Sequence, residues 1–310
     1  MRIGNTYRSM KNYFLSFLAA AICVAVSSCD SKSEPEKTAA LVIGTQSAYW
    51  DKVRLGAVEE GAIQGLNVEV YNYPNDVAFD QVAAYIKSLS SRKDVVGVAG
   101  LANETTLDAA YGTLREDISI VVAEGVFVEG GSVSKRYNGT VALNYDEYGT
   151  ALTSRMPESK IIVLSYDKGA NSQIASVIAR NKGEANVVIC PVADQREVPG
   201  ILADALKEHP ETEAVVFCSS NFVSDSNLSL CGERKIYSSD LNADVEPAIR
   251  DGRIALNISI DNYEFGATLV RAIAEIEKHK GSKSIVRYDI PYLITDKQNI
   301  DTPERKRLYM

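Results

Sequence analysis

The sequence predicts an α/β protein of two lobes, each a Rossmann-like parallel sheet covered by helices. Three observations predict it. Short runs rich in Val and Ile recur without polar alternation, which marks strands covered on both faces. Helix-compatible segments separate most of those runs, as right-handed βαβ units require. The rhythm pauses near residues 137–141 and then begins again, so two sheets fit better than one sheet of about ten strands.

The elements follow in order. "AALVIG" is a short apolar run bounded by Gly44. "DKVRLGAVEEGAIQG" places Val53, Ala57, Gly61 and Gln64 at helical spacing, with Gly65 as its stop. "NVEVYNY" reads as a strand. "DVAFDQVAAYIKSLSSR" carries Val77, Val82, Ile86 and Leu89 on one helical stripe. "DVVGVAG" is a buried strand, "NETTLDAAYGTLRE" a helix with Asn103 as candidate cap, and "ISIVVAEG" another buried strand. "GTVALNYDEYGTALTSRM" joins a strand to a helix. In the second half the strands are "KIIVLS", "ANVVIC", "EAVVFC", "RKIYSS" and "RIALNIS". Between them lie "NSQIASVIARN", "EVPGILADALKEH" and "DVEPAIRDG", all compatible with helix. "YEFGATLVRAIAEIEKHKG" is a long helix with Phe265, Leu269, Ile273 and Ile276 on one face, and "KSIVRYDIPYLITDKQN" follows as a final strand pair. A late helix and strand after two complete halves imply a chain that crosses between lobes more than once. The expected boundaries are residues 40–140 with 262–284 for the first lobe, and 141–261 with 285–310 for the second.

The 310 residues are 45% hydrophobic and 24% charged, enough apolar material for one large core or two smaller ones. The net charge of −8, with both signs interspersed, argues against a nucleic-acid partner, which needs a concentrated basic face. The cysteines show no zinc-type spacing.

The N-terminus reads differently. Arg2, Arg8 and Lys11 precede "YFLSFLAAAICVAV", residues 13–26, which is shorter than the roughly 20 residues of a membrane span. "VSSC", residues 26–29, resembles a bacterial lipobox. Residues 1–28 would then be a signal peptide, lost with Cys23, and Cys29 would carry the lipid. An ordinary secretory signal, or an apolar helix that contains cysteines, is the alternative. Residues 29–39, with "DSKSEPEKTA", are polar and suit a flexible tether. The expected location is the cell envelope, anchored to a bacterial membrane and facing the periplasm or exterior. Cys190, Cys218 and Cys231 read as buried free thiols, with one disulfide and a leftover thiol as the alternative.

Several segments together resemble the type I periplasmic binding proteins, the ribose-binding-like group, whose fold is shared with lac-repressor-type effector domains. "LVIGTQSAYWDKVRLGAVEEGAIQG" is similar to that family's first strand, aromatic ligand loop and first helix. "GTVALNYDEYGTAL" is similar to the entry into the second lobe. "VPGILADALKEHPETEAVVFCSSN", "KIYSSDLN" and "AIRDGRIALNISIDNYEFG" resemble, in order, a helix–strand–polar loop, a strand ending in aspartate, and the second crossover. The resemblance covers residues 40–299 and implies two lobes joined by three crossovers. Ligand would sit between them, at the carboxyl ends of the strands.

The resemblance also implies site residues. Tyr49 and Trp50, with Gln46, would present the aromatic loop after the first strand, where a ring packs on the C–H face of a sugar. The position after the third strand falls near Gly100. The family's Asp-Arg pair corresponds to Glu124 and Gly125, so the arginine is missing. Ser220 and Asn221 match a polar loop, and Asp240 matches the strand-end aspartate. The crossover glutamine falls at Ile260, with Asp261 beside it. Gln195 stands near an aromatic position of the second lobe, and Gln173 or Lys168 replaces a second arginine. Glu124 and Asp240 would accept hydroxyl hydrogen bonds, or pair with a cationic group on a ligand.

The implied function is extracytoplasmic capture of a small polar ligand, a sugar or polyol, by hinge closure and delivery to an ABC-type permease. The alternative is presentation of ligand state to a membrane sensor kinase. No enzyme is expected, and no cofactor or metal. His209 and His279 sit in charged surroundings near helix ends, no serine or cysteine has a base by motif, and "GLANETT" and "SYDKGANS" lack phosphate-cradling spacing. A repressor-type regulator would need a helix-turn-helix ahead of the ligand domain, where this chain has the signal-like segment.

Overall fold

A computed structural model describes residues 36–44, 48–73, 78–101, 105–124, 137–280 and 286–309. The chain divides into Met1–Glu36 and a body, Lys37–Met310. The signal-like segment and Cys29 lie outside the described residues.

The body holds two six-stranded sheets. The first contains β1 (Thr38–Ile43), β2 (Asn67–Asn72), β3 (Val95–Leu101), β4 (Ser119–Glu124), β5 (Gly139–Ala142) and β11 (Val286–Asp289), in the order β11-β5-β4-β3-β1-β2. All its pairings are parallel. The second contains β6 (Ile161–Tyr166), β7 (Val187–Val192), β8 (Ala214–Phe217), β9 (Lys235–Ser239), β10 (Leu256–Ile260) and β12 (Tyr292–Thr295), in the order β12-β10-β9-β8-β6-β7. There β12 alone runs antiparallel, against β10. The central strands β1, β3 and β8 are buried along their whole length, which is why they read as unbroken apolar runs.

Helices cover both faces of each sheet. In the first lobe they are α1 (Ala48–Gln64), α2 (Phe79–Ser88), α3 (Thr105–Tyr111) and α9 (Asn262–Lys278). In the second they are α4 (Tyr145–Thr153), α5 (Ala170–Lys182), α6 (Val198–Glu208), α7 (Asp225–Leu230) and α8 (Val245–Asp251). A last helix, α10 (Pro303–Tyr309), follows β12. The sequence pattern does not pick out α7, of six residues, or α10, of seven. One apolar core lies under α2 and α3, with Val82, Ile86, Leu107 and Tyr111. Another lies under α6 and α8, with Val198, Leu202 and Ile249. The third runs through both lobes, from Ile43, Leu269 and Ile273 to Leu152, Ile174 and Ile178, and it includes Leu143, Tyr148 and Ile290 at the junction.

The packing of α1 on α9 is unusually close. A Cβ on Gly56 would overlap the Tyr263 carbonyl oxygen, and one on Gly266 would overlap that of Val53. Only glycine lets the two backbones meet, so α1 is seated directly on the helix that begins at a crossover.

Three crossovers join the lobes. Leu143 and Asn144 link β5 to α4, Asp261 links β10 to α9, and Ile290 and Pro291 link β11 to β12. The third is tied to the other two: Ile290 N–H donates to the Ala142 carbonyl at 2.8 Å, and Asp261 N–H to the Pro291 carbonyl at 2.9 Å. The final strand pair is therefore split between the two sheets. β11 pairs with β5 in the first sheet and β12 with β10 in the second, although everything after residue 285 had been placed in the second lobe. Two apolar runs separated by "IP" look like a strand pair in sequence, and only long-range pairing sends them to different sheets.

Cys190, Cys218 and Cys231 are buried free thiols. Burial pushes the thiols of Cys218 and Cys231 up to about 12, which keeps them protonated and unreactive.

Candidate functional site

Between the lobes lies a cleft of about 940 Å³. Its second-lobe wall is made at the carboxyl ends of β6, β8, β9 and β10, where side chains and backbone groups emerge from an open parallel sheet. Among the described residues its first-lobe wall is the opening of α1, with Tyr49, Trp50 and Lys52, and Asn262 of α9.

Asp240 stands immediately after β9 and faces the cleft. Its φ of 71° is left-handed, and among the described residues it is the one non-glycine with a positive φ. Aspartate tolerates that region better than most residues, at a cost of about 1 kcal/mol. The surroundings hold it there. Asp240 N–H donates to the Ile258 carbonyl at 2.8 Å, and its own carbonyl accepts from Asn257 Nδ2 at 2.8 Å. Asn257 is fully buried and also donates to Ser238 Oγ at 2.9 Å. Beside it, the Tyr148 hydroxyl from α4 donates to the Ile258 carbonyl at 2.8 Å and lies 2.9 Å from Ser239 Oγ. Strain over-determined by its neighbours is characteristic of working sites. Partial desolvation at the cleft wall raises the Asp240 carboxyl above the usual range, against hydrogen bonds from the Leu241 N–H and the Ser220 hydroxyl.

Tyr49 and Trp50 are not in a loop. They form the first turn of α1, edge-to-face at 4.8 Å between ring centroids. Successive helical residues diverge by about 100°, so the two side chains meet different surroundings while their rings stay in edge contact. Trp50 is only 8% exposed and belongs to the core, lying over Gly44, where a Cβ would come within 2.6 Å of its Nε1. One edge still reaches the cleft. Tyr49 is half-buried, and its hydroxyl is sealed from solvent without a hydrogen-bond partner. Desolvation, and then the field of Asp240, raise its pKa far above the ordinary phenol value.

The remaining cleft groups are largely engaged. Asn221 Nδ2 donates to the Tyr166 hydroxyl at 3.4 Å, so both mark one wall. Asn242 is occupied by the Ser220 carbonyl at 2.6 Å and by the Asp244 and Val245 N–H groups. Lys52 Nζ donates to the Leu308 carbonyl of α10. Burial lowers its pKa, opposed by Glu246 and Asp261. Glu246 in turn binds Arg250 at 2.8 Å. Among the described residues no three His, Cys, Asp or Glu side chains gather as metal ligands.

The residues expected from sequence divide clearly. Tyr49, Trp50, Ser220, Asn221, Asp240 and Lys168 all line the cleft, as does Ile260 at the position of the missing glutamine. Asp261 does not. It is 2% exposed and caps α9, accepting the Glu264 N–H at 3.1 Å, because the residue after a strand that leads straight into a helix is taken as the cap. Its neighbour Asn262 lines the cleft instead. Gln195 is exposed in the turn before α6, beyond edge strand β7, and is not a lining residue; nor is Gln173. Gly100 packs against the Tyr111 hydroxyl and the backbone of β1. Of Glu124 the structure describes the backbone, at the end of β4, while Gln46 and Gly125 lie outside the described residues. Sequence reasoning missed Tyr166, Tyr148 and Asn257. Tyr166 ends β6 and could have been found as an aromatic at a strand's carboxyl end; Tyr148 and Asn257 act through buried hydrogen bonds that carry no sequence signal.

No protein-family model and no curated protein matches this chain. Solved structures match its fold. The arabinose-binding protein AraP of Geobacillus stearothermophilus superposes with a TM-score of 0.71 at 14% identity, over 86% of this chain and 99% of that one. A periplasmic ribose ABC transporter protein of Conexibacter woesei gives 0.71 at 15%, over 89% and 98%. An ABC transporter solute-binding protein of Agrobacterium vitis, with bound D-fucose, gives 0.65 at 19%, over 87% and 99%. The chain therefore has the periplasmic binding protein type I fold: two α/β lobes, each built on a mainly parallel six-stranded sheet.

Proposed function

We propose that this protein is an extracytoplasmic solute-binding protein that captures a sugar or polyol in the interlobe cleft and hands it to an ABC-type permease. One observation carries the reading: Asp240, held in a strained backbone conformation on one lobe, faces the aromatic turn Tyr49–Trp50 of the other across the cleft. A carboxylate accepts hydroxyl hydrogen bonds strongly, and an aromatic face takes the C–H face of a pyranose or furanose ring. Ligand bound to one wall would gain its second set of contacts only when the lobes close, so binding shifts the hinge toward the closed form. Similar solved structures hold D-fucose, D-arabinose and D-allose, and several are proteins of ABC transporters, which supports both the ligand class and the permease.

The chain's single tryptophan reports on the site directly. Titration with pentoses, hexoses and inositols should change Trp50 emission saturably and raise the melting temperature for at least one sugar. No change in either signal with any sugar or polyol removes the reading. Membrane attachment through Cys29 belongs to the same proposal, since acyl chains contribute about 0.8 kcal/mol per buried methylene. Cys29→Ala should release the protein to the soluble fraction or leave it unprocessed; full membrane retention in that variant overturns the anchor.

A further inference from the structure

We infer that the ligand of this cleft is an amino sugar whose ammonium group sits on the Asp240 carboxylate and the Tyr49 hydroxyl. The inference rests on the proposed solute-binding role and narrows its ligand to one chemical class.

The first ground is an uncompensated charge. Asp240 is exposed to the cleft in this structure, where water can solvate it. Closure around a ligand strips that water, and a buried charge is tolerated when it is paired. Among the described residues nothing pairs with it. The groups that act on its carboxyl are the Leu241 N–H and the Ser220 hydroxyl, both neutral. Two cations line the cleft. Lys52 is bound to the Leu308 carbonyl and answers to Glu246 and Asp261, and Lys168 stands exposed at the rim. Among the described lining residues the other carboxylate is Glu246, which Arg250 matches. Among the described residues, Asp240 is thus the lining carboxylate without a matching cation, left for a ligand to neutralise.

The second ground is independent. The Tyr49 hydroxyl is sealed from solvent, has no partner, and lies close enough to Asp240 to feel its charge across the cleft. A buried polar group without a partner needs a reason. An ammonium has three N–H donors and no acceptor, so it needs acceptors from both walls. Asp240 supplies one from the second lobe and Tyr49 another from the first. A neutral sugar hydroxyl would satisfy Tyr49 and leave the charge of Asp240 unmatched.

The test is calorimetric titration of the full chain with D-glucosamine, D-galactosamine and D-mannosamine, each beside its parent hexose and its N-acetyl derivative. At least one amino sugar should bind tenfold or more tighter than both neutral counterparts. In Asp240→Asn, which keeps the side-chain shape and the left-handed backbone, that preference should fall to within twofold. Tyr49→Phe should weaken the amino sugar several-fold. Neutral sugars that bind as tightly as the amines, or an amine preference that survives Asp240→Asn, overturn the inference while leaving the solute-binding role intact. A folded protein that binds no sugar of either kind overturns both.

Discussion

Among the described residues, the first lobe meets the cleft with the opening of α1 and with Asn262 of α9, while the second meets it with the carboxyl ends of four strands. Tyr49, Trp50 and Lys52 all stand on α1, and among the described residues they make up most of the first wall. Opposite them, Tyr166, Ser220, Asn221 and Asp240 come from three different strand ends. The supporting chemistry differs as well. On the second lobe, Asn257, Tyr148 and Ser239 form a buried hydrogen-bonded frame around Asp240. On the first, α1 is set by backbone contact with α9 through Gly56 and Gly266. One wall is a polar floor fixed by directional bonds; the other is an aromatic face fixed by close packing.

Four substitutions break or sharpen that contrast. Gly266→Val places side-chain atoms on the Val53 carbonyl and should cost about 3 kcal/mol, roughly 6–12 °C in melting temperature. Thermal melting that matches the parent protein would mean that α1 is not held by this contact. Asp240→Gly removes the carboxylate and the strain together. Affinity should fall by about 10–150-fold, from a charged hydrogen bond of roughly 1.5–3 kcal/mol, while the melting temperature holds or rises. A parallel loss of stability would instead give Asp240 a structural task.

Asn257→Ala leaves the Asp240 carbonyl without its buried donor. Both stability and affinity should drop by about 1–2 kcal/mol. If melting shifts and ligand titration does not, the frame supports the lobe and not the carboxylate. Tyr49→Phe deletes a hydroxyl that has no partner, so the ligand-free protein should melt unchanged or slightly higher. Affinity should weaken by about 1 kcal/mol, and an unaltered titration would show that the hydroxyl never reaches the ligand.

Much of this was legible in the sequence, in uneven ways. The pair Tyr49–Trp50 was identifiable as the aromatic contribution of the first strand–helix junction, yet its division into one core ring and one cleft ring was not. Both residues are aromatic and adjacent; only the direction of α1 assigns them different neighbours. Asp240 was identifiable as a strand-end carboxylate, whereas its left-handed backbone depends on Asn257 and Ile258, whose contribution no local pattern reveals. Asp261 was taken for a ligand contact because it sits beside the crossover position. The structure uses it to start α9, where it is buried and its Oδ1 accepts the Glu264 N–H. Gln195 stands after the edge strand β7, exposed and outside the cleft lining.

By itself the sequence determined two parallel sheets with helices on both faces, because apolar runs and helical spacing are local properties that survive without knowledge of partners. It also determined which residue types stand at the strand ends. Only the tertiary structure decided that β11 and β12 part to different sheets, that Asp261 is a hinge cap, and that Asp240 faces Tyr49 without a countercharge among the described residues. Those facts depend on groups brought together from distant parts of the chain, where hydrogen-bond geometry and burial, and not residue identity, settle what each side chain can still offer a ligand.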